Sequence, residues 1–316
     1  MKLITEVIIP DYPFHLDHHG HSFFMGSCFT ENIGKFLERS MFPMTINPFG
    51  VTYNPVSVHH QLEALMHKEK YSVEDLDHYQ GLWFSFDHYT GFSSVDRESC
   101  LDGINQSFLE AKRDIQKTSL LVITWGTAWI YRYNPTGNVV CNCHKIPAAR
   151  FTRSRISVKE IIRLYGKLLE QLLFFNSNLK VLLTVSPVRH WKDGAHGNQL
   201  SKASLLLASE ALQEQFPRRV FYFPSYELVM DELRDYRYYN EDMVHLSSSA
   251  VRYIWEKFQS ALISEESRKI IRDLEPLLKM QEHRSMGRNA DAHQLTLRKQ
   301  EEKRDQLQKK YPFLAW

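Results

Sequence analysis

Short apolar runs alternate along this chain with stretches of helical period, the signature of strands joined through crossover helices into a parallel sheet. The predicted strands are SFFM (22–25), MTIN (44–47), LLVIT (120–124), VLLTV (181–185) and VFYF (220–223), enough for a doubly wound sheet. Leu205, Ala208, Leu212 and Phe216 share one helical face, as do Val251, Ile254, Trp255, Phe258 and Leu262. Ser247 is placed to cap the second of these helices, and another helical stretch starts from about Thr30.

Three segments break the alternation. From about 69 to 103 the chain is polar, aromatic and without a clear period (YQGLWFSFDHYTGFSS), which predicts an insertion over one end of the sheet. WIYRYNPTGNVVCN (129–142) has β-rich runs on either side of Asn-Pro-Thr-Gly and predicts a hairpin turning at Pro135 and Gly137. Beyond about 266, Arg, Lys, Glu and Gln replace the large apolar residues. The chain therefore divides into an α/β domain over 1–265 and a charged helical extension over 266–316, with Tyr311, Phe313, Leu314 and Trp316 available to anchor the tail.

Composition narrows the class. With 316 residues, 43% of them apolar, the chain can bury a sizeable core. Its 39 basic and 37 acidic residues leave a net charge of +2, which gives neither nucleic acid nor an anionic membrane a reason to be the main partner. The first apolar run is broken by Pro10 and Asp11 and lacks a cleavage pattern, and no window approaches a membrane span. Cys28, Cys100, Cys141 and Cys143 are too irregularly spaced for a disulfide framework, so the expected compartment is the cytoplasm.

Open parallel sheets bind ligands beyond the carboxyl ends of their strands. After the first strand come Gly26, Ser27 and Cys28, on a tight turn into a helix whose N–H groups suit a nucleophile that creates an oxyanion. Cys28 would be the stronger nucleophile if ionised; otherwise it is a small apolar residue packed beneath the turn. Gly50 and Gly126 follow the second and third strands and permit close backbone approach. After the fifth strand, Asp242 stands three residues before His245, a spacing that lets the carboxylate hold Nδ1 while Nε2 faces a hydroxyl.

MGSCFT (25–30), NPFGVTYNP (47–55), WGTAWIYR (125–132), NCHK (142–145), SPVRHWKDG (186–194) with NQLSKASL (198–205), and FPSYELVMDELRDYRYYNEDMVH (223–245), taken together and in this order, closely resemble the GSCFA domain family. That family is distantly related to the SGNH/GDSL hydrolases. The resemblance implies a flavodoxin-like three-layer α/β/α fold, with Ser27 as nucleophile, His245 as general base and Asp242 as its orienter. It also implies an oxyanion hole formed by the N–H groups of Ser27 and Gly50. The sequence departs from the SGNH pattern where an asparagine is expected two residues after Gly126 and Ala128 stands instead. Thr127, Asn54 and Asn47 are the candidates to replace that donor.

The remaining candidates line the same presumed end of the sheet. Gly126, His144, Lys145, Arg189, His190 and Asn198 are expected near substrate, and His88 with Trp83, Phe86 and Tyr89 as an apolar lid. Cys141, Cys143 and His144 lack a second ligand pair for zinc, and the HLDHHGH cluster (15–21) reads as a solvated lead-in, so neither metal nor organic cofactor is expected. The expected activity is hydrolysis of an O-acyl ester, for instance on a carbohydrate. Acyl transfer to a sugar hydroxyl, or an inactive scaffold whose carboxy-terminal helices recruit a partner, are the alternatives.

Overall fold

A computed structural model describes residues 5–282 and 290–316. The strands among them are β1 (His21–Gly26), β2 (Met44–Ile46), β3 (Asp77–Tyr79), β4 (Leu82–Phe84), β5 (Thr118–Trp125), β6 (Trp129–Tyr133), β7 (Val139–Val140), β8 (Phe151–Arg155), β9 (Lys180–Val185) and β10 (Val220–Tyr222). The helices are α1 (Cys28–Arg39), α2 (Pro55–His67), α3 (Arg97–Lys117), α4 (Val158–Phe175), α5 (Gly194–Gln215), the short α6 (Ser225–Glu227), α7 (Ser248–Leu262), α8 (Glu265–Glu282) and α9 (Ala290–Lys310).

β10, β9, β5, β1 and β2 form one parallel sheet in that order, from the five predicted apolar runs. The chain steps from β1 outward to β2, then crosses back to β5 on the other side of β1, so the order reverses between β1 and β5. At such a switch point the loops diverge and leave a crevice at the carboxyl ends of the strands.

The pleat sorts side chains to two cores. Phe23, Met25, Leu121, Ile123, Val181 and Leu183 face α2 to α5, whereas Phe24, Leu120, Val122 and Leu182 face α1 and α7. Both faces being covered, β1, β5 and β9 are nearly continuous in apolar residues, as buried parallel strands must be. Ser247 caps α7 by accepting the Ala250 N–H.

Two excursions differ from expectation. The aromatic insertion holds the β3–β4 hairpin, turned through left-handed Gln80 and Gly81, and it ends where Asp96 caps α3, seven residues or so short of the predicted boundary. The predicted hairpin gains a third strand, since β8 pairs antiparallel with β6 along its whole length. FTRSR has no apolar alternation to announce it.

In the carboxy-terminal extension, Ile270, Leu274 and Leu277 of α8 pack on Leu307 of α9 and on Leu314. Residues 283–289 lie outside the described residues. Among the described residues no helix is long and apolar enough to cross a membrane.

Candidate active site

Ser27 stands where β1 gives way to α1. Gly26 before it has a φ of 130°, and a Cβ there would lie 2.1 Å from the Thr124 carbonyl oxygen, so only glycine lets β1 turn this close to β5. The loop after β2 grips the turn from the other side. Asn47 Oδ1 accepts the Gly26 N–H at 2.8 Å, and the Gly26 carbonyl accepts the Thr52 N–H at 3.0 Å. A serine at a helix N-cap ordinarily spends its oxygen on first-turn N–H groups. Ser27 does not: its hydroxyl is buried without a hydrogen-bond partner among the described residues.

Asp242 and His245 belong to a tight turn just before α7. Asn240 N–H donates to the His245 carbonyl at 2.8 Å, and Met243 takes a left-handed φ of 56°. Asp242 Oδ1 accepts the N–H groups of Val244 and His245, each at 2.9 Å, while its Oδ2 lies 2.6 Å from His245 Nδ1. The imidazole first, then these N–H groups, hold the Asp242 carboxyl down at about 2. An ionised carboxylate can only accept, so Nδ1 carries the hydrogen and Nε2 is left to act as base. Both side chains are about half exposed, at 51% and 50%.

Ser27 and His245 line one cleft of about 620 Å³, together with Cys28, Tyr53, Asn54 and Thr127. No hydrogen bond joins Ser27 to His245. A second cleft, of about 600 Å³ between α1 and α7, meets the first at Cys28, Ser186, Val188 and His245. Cys28 is thus corrected from a residue packed beneath the turn to one on the cleft wall, because the first residue of α1 stays at the helix mouth. Burial pushes its thiol up, an effect that the Tyr53 side chain beside it opposes.

The expected oxyanion hole is also corrected. The Ser27 N–H donates to Thr124 O at 3.1 Å, and the Gly50 N–H closes a turn on Asn47 O at 2.7 Å, with Gly50 packed against Tyr89 away from the cleft. Asn47 accepts the Gly26 N–H through Oδ1, and its Nδ2, although without a hydrogen-bond partner among the described residues, belongs to a residue that does not line the cleft. Thr127 lines the cleft, but its hydroxyl is bound to Ser201 Oγ at 3.1 Å and accepts the Trp129 N–H. Asn54 is better placed: Oδ1 caps α2 on Ser57 N–H, Nδ2 gives one hydrogen to Ser57 Oγ at 3.0 Å, and a second hydrogen remains. Ala128 is wholly buried in the apolar cluster under β5.

Of the other candidates, Gly126 and His190 reach the site. A Cβ on Gly126 would be 3.4 Å from that of Ser27, and His190 lines the cleft, brought down to about 4 by burial and then by the charge of Lys202. Asn198 is buried behind it, accepting the His190 N–H at 3.1 Å. His88 and His144 are corrected to core residues. His88 is enclosed by Phe49, Tyr71 and Phe92, and His144 stacks on Phe84 and meets Ser85 O at 3.0 Å. Desolvation in these apolar surroundings takes them to about 3 and about 4, so both are neutral. Lys145 is exposed and Arg189 stacks on Trp191; neither lines the Ser27 cleft.

The GSCFA family profile matches residues 21–258, from the start of β1 into α7. The chain belongs to the GSCFA family. No curated protein compared with it matches. Among solved structures it is similar to one described as a platelet activating factor from Streptococcus pneumonia, at 12% identity and TM-score 0.38, covering 76% of this chain and 83% of that one. An acetyl xylan esterase from the rumen bacterium Butyrivibrio proteoclasticus is similar at 12% identity and TM-score 0.33, covering 79% and 64%.

Sequence reasoning missed two parts of this GSCFA site. One is a wall of the Ser27 cleft, where Trp129 and Tyr131 of β6 stand beside Phe151 and Arg153 of β8. Arg153 lies 4.2 Å over the Trp129 ring and pairs with Asp193, while Lys192 Nζ reaches the Tyr131 hydroxyl at 2.9 Å. Every second residue of WIYRY pointing one way is the signal that could have found it. The other is Lys202 of α5, fully buried, whose Nζ donates to Gly126 O at 2.6 Å and Ser186 O at 2.5 Å. It lay inside the NQLSKASL motif but among residues that periodicity assigns to a helix core.

Proposed function

We propose that this GSCFA protein is a serine-dependent hydrolase of the SGNH type, cleaving an O-acyl ester carried on a carbohydrate. One observation carries the reading: a buried serine hydroxyl with no partner opens into the same cleft as a histidine whose Nδ1 is held by a carboxylate. As His245 Nε2 takes the hydroxyl proton, Ser27 Oγ bonds to the acyl carbon and the carbonyl electron pair moves onto oxygen. Collapse breaks the bond to the alcohol oxygen, which leaves with the proton from His245. Water, deprotonated by His245, then adds to the acyl carbon, and Ser27 departs reprotonated. Asp242 keeps the imidazole in the required tautomer and stabilises the imidazolium. The free Asn54 Nδ2 hydrogen is a side-chain donor on this cleft for the oxyanion. Trp129, Tyr131 and Phe151, with Arg153 over the first two rings and Lys192 on Tyr131, make an aromatic and cationic wall suited to a sugar with polar substituents.

The test is labelling by an alkyl fluorophosphonate probe. Labelling of the folded wild type that is lost in Ser27→Ala and His245→Ala but survives in Cys28→Ala supports the reading. A folded wild type that is not labelled and turns over no short ester overturns it in favour of a binding scaffold.

A further inference from the structure

Lys202 is a fully buried lysine that forms no ion pair with a carboxylate among the described residues. Its charged and titratable surroundings are Arg189 and His190 from the loop after β9, and the Tyr226 ring of α6 at 6.0 Å; the nearby Asp193 is committed to Arg153. A lysine is almost never kept in such a place without a return, because an ammonium taken out of water needs partners that repay its lost hydration.

The hydrogen bonds on Lys202 lead back to the cleft. Its Nζ binds the Gly126 carbonyl, and that peptide's N–H, on Thr127, donates to Tyr53 O at 2.9 Å. Tyr53 O also accepts the Gly126 N–H at 2.7 Å, and the same peptide unit ends in the N–H of Asn54, which meets no acceptor among the described residues. Asn54 lines the cleft with Ser27. A cation at the head of such a chain polarises each peptide in turn and makes the last N–H a stronger donor. The neighbouring Ser201 completes the clamp, accepting the Ala128 N–H at 2.7 Å.

We propose that Lys202 is a positioning residue that, through the Gly126–Thr127 and Tyr53–Asn54 peptides, fixes and charges the Asn54 N–H as the oxyanion donor, in the place of the asparagine that Ala128 has displaced. The inference rests on the hydrolase reading for its purpose but not for its test. Desolvation brings the ammonium down to about 7, so the relay loses its charge within an accessible range. The sign follows: below that pH the cation is present and the donor is strong; above it the donor weakens.

Full-length wild type, Lys202→Arg and Lys202→Met are compared by fluorophosphonate labelling rate between pH 5 and 10, and by the amide proton shift of Asn54 in apo protein. Expected are a wild-type rate that falls above pH ~7, a Lys202→Arg rate without that fall, and a Lys202→Met rate about tenfold below wild type at pH 6, less than the ~10²–10³ lost with a direct donor. The Asn54 amide shift should titrate near pH ~7 in wild type and stay flat in both variants. Equal rates in all three with no alkaline fall, or an Asn54 shift indifferent to Lys202, overturn the proposal. If Lys202→Met does not fold, the wild type and Lys202→Arg decide it. If the wild type is not labelled, the hydrolase reading fails and the amide shift alone decides the relay.

Discussion

The two halves of the candidate triad are built by opposite means. Ser27 is fixed by long-range structure: Gly26 pressed on Thr124, Asn47 and Thr52 bracketing the turn, and Gly126 held by Lys202 from α5. His245 is fixed by sequence neighbours alone, through a turn closed by Asn240, Asp242 and left-handed Met243, and it stands half in solvent. Ser27 thus inherits the rigidity of the sheet, while His245 rides on an element that local fluctuation can move toward it. The missing hydrogen bond between them falls at the junction of the two.

The contrast makes its largest prediction on Ser27 and His245 themselves. Either change to alanine should cost on the order of 10⁴–10⁶ in labelling rate, as triad members act as a unit. Stability should divide them. Ser27→Ala removes a buried hydroxyl that has no partner, a group whose burial costs about 1–3 kcal/mol, so melting should shift upward by a few degrees. His245→Ala, at an exposed turn, should leave it unmoved. Thermal melts of both decide the matter, and a Ser27→Ala protein less stable than wild type would break the comparison.

The same division explains what the sequence discloses. The five parallel strands are legible because strands buried on both faces are continuous in apolar residues, and Asp242 with His245 is legible because its geometry is local, a matter of three residues. β8 is hidden because FTRSR faces a cleft and carries polar residues on both sides. The oxyanion hole is misplaced for a related reason. A family pattern assigns the glycine after β2, but whether an N–H is free depends on what accepts it, and Gly50 N–H is claimed by Asn47. Lys202 escapes because a lysine on an apolar helix face has no pattern of its own; only its acceptors, 76 and 16 residues away, give it meaning.

A second, smaller effect sharpens the local half. Asp242→Asn keeps an oxygen for the N–H groups of Val244 and His245, so the turn should persist, but its amide turned to Nδ1 would force the hydrogen onto Nε2. The labelling rate should then fall by about 10²–10⁴ with an unchanged melting temperature. A variant that labels at the wild-type rate would show that the carboxylate merely holds the turn.

The smallest effect tests the rigid half, by placing at position 128 the asparagine that the SGNH pattern would put there. If the asparagine missing after Gly126 were a simple lost donor, Ala128→Asn would raise the labelling rate. The packing argues otherwise. Ala128 is fully buried among apolar side chains and its N–H is already held by Ser201 Oγ, so the new amide would enter the core rather than the cleft. Burying it without partners costs about 1–3 kcal/mol, a loss of a few degrees in melting, with no gain in rate. A faster Ala128→Asn enzyme would mean that position 128 can still reach the oxyanion and that Asn54 is not its substitute. A slower melt with an unchanged rate would mean that this site has moved its donor to the loop after β2, where the sheet's own hydrogen bonds hold it in place.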